Sequence, residues 1–552
     1  MTTGPYLDPA YDPADALLVI APPGCGKTEL LARRAVHVLG TLQPHQEILA
    51  LTFSNRATRN LRERLQAALG PQRFRRQVTV TNFHGHAAGI IRAHGHSIGV
   101  DPNSSLPQRA TLATAVAAFT DGLRIGPAMQ RKAEIEAALS AAKRDALDDD
   151  QVREVLVRAG NGFALQIEDD RRAQGVLHYD DLLRHAQRLM RIDAVARLYQ
   201  QHYGAVLVDE FQDLSLQQLE IALASCTANR TFVGDPLQGI YAWAGAQPAQ
   251  VEQDLRKLCG TPRQLAVSYR SSPAVLGVVN RVATALNGEP LHAADPAAWL
   301  QGGAAAAADF DTGQQEAAWI VATASKIMSQ NRSATIGVIA RAAWRRRPID
   351  AAFAEATQLP QQRWDLAIED SEAVQRIIAA VRRLPRKAEM PAVRQAVVQD
   401  IDPSNAESLE QTMAALEEFE SLVVRAGTPS AAAAQLREPD GDGAIEPGIH
   451  LLNAHTGKGQ QFDWVFIPGL EEFHIPDNHA ESETQLEEEL RVLLVMLSRA
   501  RHGVIVTRAR SLISKAGNPY GTTPSRWWEP TSAACSLDAE GVQDHLARAG
   551  SA

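Results

Sequence analysis

Cysteine is scarce. Four occur in 552 residues, Cys25, Cys226, Cys259 and Cys535, with no CxxC pair among them. That excludes a disulfide framework and a thiolate zinc site, and it suits a reducing compartment. Long apolar runs are also missing: no stretch approaches the roughly 20 residues that span a bilayer. The N-terminal "MTTGPYLDPAYDPADA" has no basic segment followed by an apolar one, so a cytoplasmic protein without a membrane anchor is expected. Cations are outnumbered, 55 lysines and arginines against 64 aspartates and glutamates, for a net charge of −9. Bulk charge therefore does not favour sequence-independent coating of nucleic acid, although a local groove remains open. The histidines of "FHGHAAGIIRAHGHS" (His84, His86, His94, His96) are spaced as HxH twice, which is neither a helical i,i+4 pair nor a zinc finger.

What is present is ordinary globular composition, 45% hydrophobic and 22% charged, at a length that suits three or four domain-sized units. Short apolar runs bounded by turn residues recur at "ALLVI", "EILALTF", "AVLVDEF", "RTFVGD", "TIGVIAR", "IHLLNA", "WVFIPG" and "GVIVTRA". Helical periodicity fills most of the intervals, which predicts an α/β fold with buried parallel strands in at least two sheets. Two long, alanine-rich helical intervals, 87–203 and 350–445, read as insertions. The expected division is a first core from 1–86 and 204–267, a second core from 268–349 and 446–552, and one insertion in each.

"LLVIAPPGCGKTE" is a strand running into a phosphate-holding turn. A triphosphate needs inward-pointing backbone N–H groups, a cation on its outer phosphates and a hydroxyl for magnesium. Gly24, Gly26, Lys27 and Thr28 supply these at P-loop spacing, within a binding segment Ala21, Pro22, Pro23, Gly24, Cys25, Gly26, Lys27, Thr28 and Glu29. "AVLVDEFQD" brings Asp209 and Glu210 to a strand end, one carboxylate for Mg²⁺ with Thr28 and the other to orient a water, unless the pair simply caps the next helix. "WRRRP", Trp344 to Pro348, reads as a solvated charged face, and "PSRWW" as packing.

The motif order resembles the UvrD/Rep/PcrA-like helicases of superfamily 1A. "LTFSNRA", "TNFHGHA", "LHYDDLL", "VDEFQD", "VGDPLQGIYAWAGA", "SYRSS", "NAHTGKGQQFDW" and "EEELRVLLVMLSRA" are similar to family blocks and stand in family order. The resemblance implies two RecA-like cores with ATP and Mg²⁺ between them and two mainly helical inserted domains. It implies catalytic roles for Lys27, Asp209, Glu210, Gln238, Arg270 and Arg499, the two arginines arriving from the second core. Tyr269 would stack on the base and Gln461 would stand near the ribose. Phe53, Asn55, His84, Tyr241, Trp243 and His455 would contact single-stranded or tailed duplex DNA, with movement 3′ to 5′.

Departures from the pattern carry their own expectations. No glutamine precedes Gln43, Glu29 stands where the family has an arginine, and Gln461 replaces a glutamate, so a relaxed base preference is expected. Ala244 replaces an arginine, which predicts weaker single-strand affinity; Asn82 and Asn453 replace threonines. The second insertion is about half the family's usual size, and about 45 residues follow the last motif, so any cutting is expected from a nuclease or other protein partner of a monomeric core. A rival expectation is a nucleotide-gated DNA-end sensor or regulatory subunit, as in antiphage defence.

Overall fold

The computed structural model describes residues 8–549 except 103–114, 117–118, 120–124, 241–245, 365–370, 386–387, 400–411, 413–414, 417–418, 421, 425, 434–435, 437–444, 479 and 515–516. Two six-stranded parallel sheets organise it. The first contains β1 (Ala16–Ile20), β2 (Glu47–Thr52), β3 (Val78–Asn82), β4 (Tyr203–Asp209), β5 (Arg230–Gly234) and β6 (Arg263–Gln264), in the order β3-β2-β4-β5-β1-β6. The inner strands β1, β2 and β4 are largely apolar runs because helices cover both faces of the sheet; all seven residues of β4 are buried. The register is what builds the site. Ile20 pairs with Gly234 and Asp209 with Val233, so the segments after β1, β4 and β5 leave the same edge side by side.

The second sheet contains β7 (Ala304–Phe310), β8 (Thr335–Ala340), β9 (Gln361–Arg363), β10 (Gly448–Asn453), β11 (Phe462–Pro468) and β12 (Ala500–Ala509), ordered β9-β10-β8-β11-β12-β7. Apolar layers fill both of its faces, and Trp528 of "PSRWW" belongs to one of them.

The helical intervals divide by what they pack on, and their edges differ from the sequence expectation. Helices Phe83–His94 and Tyr179–Met190 share one apolar core with the first sheet through Ala87, Ile90, Ile91, Leu182, Ala186 and Leu189. A separate small core holds Val116, Ile135, Leu139, Val152, Leu156 and Ile167. Tyr203 is the first residue of β4. In the second interval, Ile349, Phe353 and Leu359 pack on the second sheet, and Gln361–Arg363 is its edge strand. Only beyond it do Val374, Ile377, Val393, Leu416 and Phe419 make a core of their own.

A buried ionic joint ties the first insertion to its core. Lys143 Nζ lies 2.9 Å from Glu168 and 3.0 Å from Asp181, Arg171 lies 2.6 Å from Glu168, and Arg184 lies 2.8 Å from Asp181. Gln217, on the helix that follows Asp213, donates to the Lys143 carbonyl at 2.9 Å. The joint therefore runs from the insertion to the segment behind the acidic strand end.

Candidate nucleotide and DNA site

The phosphate loop is shaped by two glycines with different reasons to be glycine. Gly24 (φ +80°) and Gly26 (φ +82°) both adopt the left-handed conformation, which disfavours any Cβ. At Gly26 a Cβ would meet nothing, so only the dihedral matters there. At Gly24 a Cβ would lie 2.6 Å from Cβ of Arg270, so the second half of the chain approaches the loop too closely for a side chain. The Tyr269 N–H donates to the Gly24 carbonyl at 2.9 Å. Gly26 then caps helix Lys27–Leu39, whose free N–H groups and dipole favour an anion.

Lys27 Nζ lies 3.1 Å from Glu210. Glu210 stands at φ 54°, ψ 50°, a left-handed conformation that costs about 1–3 kcal/mol for a side chain of this kind and is characteristic of functional positions. Its carboxylate accepts from Gln212 Nε2 at 2.6 Å, which fixes its orientation. Burial and the adjacent Glu210 raise Asp209 above the usual carboxylate range. Burial would raise Glu210 as well, but Lys27 and Lys458 outweigh it and hold the group low. Two neighbouring carboxylates thus differ in proton affinity. The oxygen donors present, the Thr28 hydroxyl and Asp209, suit a hard cation such as Mg²⁺, and the raised proton affinity of Asp209 marks a buried acid with too little positive charge around it.

A hydrogen-bond chain leaves this pair for the other core. Gln212 Oε1 accepts from the Asp235 N–H at 3.0 Å, Asp235 accepts from Gln238 Nε2 at 2.9 Å, and Gln238 Oε1 accepts from Arg499 Nη2 at 3.1 Å. Arg499 is itself buried and donates to the Val495 carbonyl at 2.9 Å and to Ser498 Oγ at 2.8 Å. Lys27, Asp209, Glu210, Gln238 and Arg499 are thus linked by these contacts, and Arg270 lies against Gly24 of the phosphate loop. Sequence reasoning missed Gln212, Asp213 and Lys458. Lys458 Nζ reaches both oxygens of Asp213 at 2.7 Å and the Gln238 carbonyl at 2.8 Å. The lysine of "HTGKGQQF" and the last aspartate of "DEFQD" were the available signals, but their meeting is tertiary.

Glu29 pairs with Arg64 at 2.9 Å, a half-exposed contact. Cys25 is buried against Leu276 and Leu291, and burial pushes its thiol up to about 12, so it is no ready thiolate. Tyr269 is 74% exposed and free to meet a planar ring, and Gln461 is exposed. Phe53 and Asn55 follow β2, and His84 follows β3, where its ring stacks on Tyr179 with centroids 4.0 Å apart. His455 follows β10 and is held neutral, down to about 4, by burial and Arg341. Asn82, in a threonine position of the family, donates to Asn55 and accepts from the Gly85 N–H at 2.7 Å, capping its helix. Asn453 likewise accepts from the Thr456 N–H at 2.9 Å. His86 is buried against Ser225 Oγ at 3.0 Å. Tyr241, Trp243 and Ala244 lie outside the described residues.

Family comparison matches the UvrD/REP helicase N-terminal domain over residues 8–258 and the UvrD-like helicase C-terminal domain over residues 396–511. The chain belongs to the UvrD/Rep-like helicase family. Its two parallel sheets are the RecA-like cores of that family. The ATP-dependent DNA helicase UvrD2 of Mycobacterium bovis is 26% identical over 578 residues, covering 93% of this chain and 79% of that protein. The ATP-dependent DNA helicase PcrA of Leuconostoc citreum is 32% identical over 282 residues, and that of Bacillus subtilis 27% over 281. In both cases the match spans 48% of this chain and 37% of the relative, so the chain covers little more than a third of either PcrA.

Proposed function

We propose that this protein is an ATP-dependent motor on single-stranded DNA, moving 3′ to 5′ and unwinding tailed duplexes. The observation that carries the reading is the direct contact of the second core with the first, through Tyr269 on Gly24 of the phosphate loop and Arg499 on Gln238. In this reading the loop N–H groups and Lys27 hold the phosphates, and Tyr269 stacks on the base. Mg²⁺, when bound by Thr28 and Asp209, would neutralise charge on the outer phosphates. Glu210 orients the attacking water and takes its proton. Arg270 and Arg499 face the charge that builds on the transferred phosphoryl oxygens, a contribution on the order of 10³-fold or more in such sites. Gln238 joins Arg499 to the acidic chain of the first core, so loss of the outer phosphate alters the contact between the cores. Opening and closing of the crevice then becomes alternating grip on a strand lying over Phe53, His84 and their neighbours, where stacking tolerates any sequence.

ATP hydrolysis measured with and without single-stranded DNA, followed by strand displacement from a 3′-tailed duplex, tests this reading. Absence of DNA stimulation would sink it. Stimulation without displacement selects the second reading, a translocase or nucleotide-gated DNA sensor, which the small second insertion favours. Among the described residues no helix is long and apolar enough to cross a membrane, and the partners proposed are DNA and, for any cutting, a nuclease.

A further inference from the structure

Residues 55–77 hold seven arginines, one glutamate and no lysine or aspartate, in a chain whose net charge is −9. They form helix Asn55–Leu69, a turn at Gly70 (φ +77°) and helix Pro71–Gln77, which runs directly into β3 at one edge of the first sheet. Arg62 Nη2 donates to the Val80 carbonyl of that strand at 3.0 Å, and Arg75 and Arg76 stand in the helical turn that ends at Val78. The two helices thus bring their cations to one stretch of sheet edge. Arg62, Arg73, Arg75 and Arg76 are all exposed. Other exposed arginines pair with carboxylates, as Arg153 does with Asp169 at 2.9 Å, Arg256 with Glu252 at 2.6 Å and Arg526 with Glu472 at 2.9 Å. These four have no carboxylate partner among the described residues; Arg73 donates instead to Gln77 at 3.1 Å. A helix C-terminus favours a nearby cation only weakly in solvent, and like charges held together repel, so folding alone does not favour the cluster.

Such a face calls for a polyanion, and its make-up decides which. No large apolar side chain of either helix is exposed among the described residues, and the ring of Phe74 packs on the core. A protein partner would lack the apolar centre on which interfaces are built. A single strand would lack rings on which to stack its bases. A duplex presents its phosphates, which guanidinium forks match in charge and shape. We propose that Arg62, Arg73, Arg75 and Arg76 form a docking face for the phosphate backbone of duplex DNA. The five residues of β3, about 17 Å of strand, separate this face from His84, which follows the other end of that strand. The docking face is therefore distinct from the nucleotide site, and it rests on the proposed action on DNA only in the choice of DNA over an RNA duplex.

Anisotropy with the full chain tests this, using a fluorescein-labelled blunt DNA duplex of about 20 bp, oligo(dT) and an RNA duplex of equal length. The triple variant Arg73→Ala, Arg75→Ala, Arg76→Ala is expected to bind the DNA duplex at least about tenfold more weakly, with the slope of log K against log salt lower by about 2–3. Its oligo(dT) affinity and its ATPase rate with single-stranded DNA stay within about twofold of wild type, which also shows that it is folded. A control that removes the same charge elsewhere, Arg256→Ala, Arg491→Ala, Arg510→Ala, keeps the duplex affinity within about twofold. Wild-type duplex affinity and salt slope in the triple variant, an equal loss on oligo(dT), or an equal loss in the control overturns the docking face. Tighter binding of the RNA duplex overturns its assignment to DNA. Each of these results leaves the motor reading standing. Absence of oligo(dT) binding and of DNA-stimulated hydrolysis in the wild type sinks that reading, and the duplex measurements then decide the docking face alone.

Discussion

Arg499 of the second core donates to Gln238 of the first at 3.1 Å, and both side chains are buried. The contact places a second-core guanidinium at the end of a chain that runs through Asp235 and Gln212 to Glu210 and Lys27. Gln238 has one donor and one acceptor end, and each is used on a different core.

Gln238→Ala removes both contacts and leaves the phosphate loop intact. Nucleotide affinity is expected to stay within about threefold of wild type, while the DNA-stimulated kcat falls by about tenfold or more. Steady-state ATPase with equilibrium nucleotide binding checks this; an unchanged stimulated rate would mean that the Arg499 contact is only packing.

Lys458 is the counter-ion of Asp213, which burial raises to about 6 even with the lysine present. Lys458→Met strands that carboxyl and is expected to cost about 3 kcal/mol or more, with much of the loss recovered in the Asp213→Asn, Lys458→Met double variant. A urea-denaturation cycle measures the coupling. Additive single losses would show that the two side chains do not depend on one another.

The ionic joint at Lys143 makes a parallel case in the first insertion. Lys143→Met leaves Glu168 and Asp181 short of one cation in a site from which water is excluded, and a loss of about 3–5 kcal/mol is expected. Joint replacement with Glu168→Gln and Asp181→Asn should restore most of it. Thermal and urea unfolding decide the point.

Acid sensitivity follows from the buried histidines. Burial lowers His86 to about 4, well under the roughly 6.5 of an unfolded chain, so the unfolded state takes up a proton first as pH falls. Its contribution to stability is complete above 6.5 and is lost as pH drops through the window from 6.5 to 4, by about 1.4 kcal/mol per pH unit. Asp213, raised to about 6, runs the opposite way, so the informative quantity is the difference between wild type and His86→Gln. The variant should lose that slope, read from urea midpoints at several pH values; identical slopes would contradict the assignment.

Much of this was legible in the chain. Short apolar runs such as "AVLVD" and "GVIVT", rich in valine and bounded by turn residues, read as buried strands, and the phosphate loop and acidic pair were read from the chemistry a triphosphate demands. What stayed hidden depends on packing. Ala87 to His94 carries the same alanine-rich periodicity whether it covers a sheet or another helix, so the edge of the first insertion could not be drawn. Arg345 and Arg346 look like a solvated charge run because their partners, Glu316, Glu471 and Asp350, are invisible to local reading where they lie far off or one turn away on a buried face. The meeting of Lys458 with Asp213 has the same cause.

The central claim is that arginines of the second core complete a nucleotide site built by the first. Arg270→Ala, assayed for ATP hydrolysis with saturating single-stranded DNA, tests it most directly. The account predicts a kcat lower by about 10³-fold with nucleotide binding largely kept. A kcat within about threefold of wild type would contradict it.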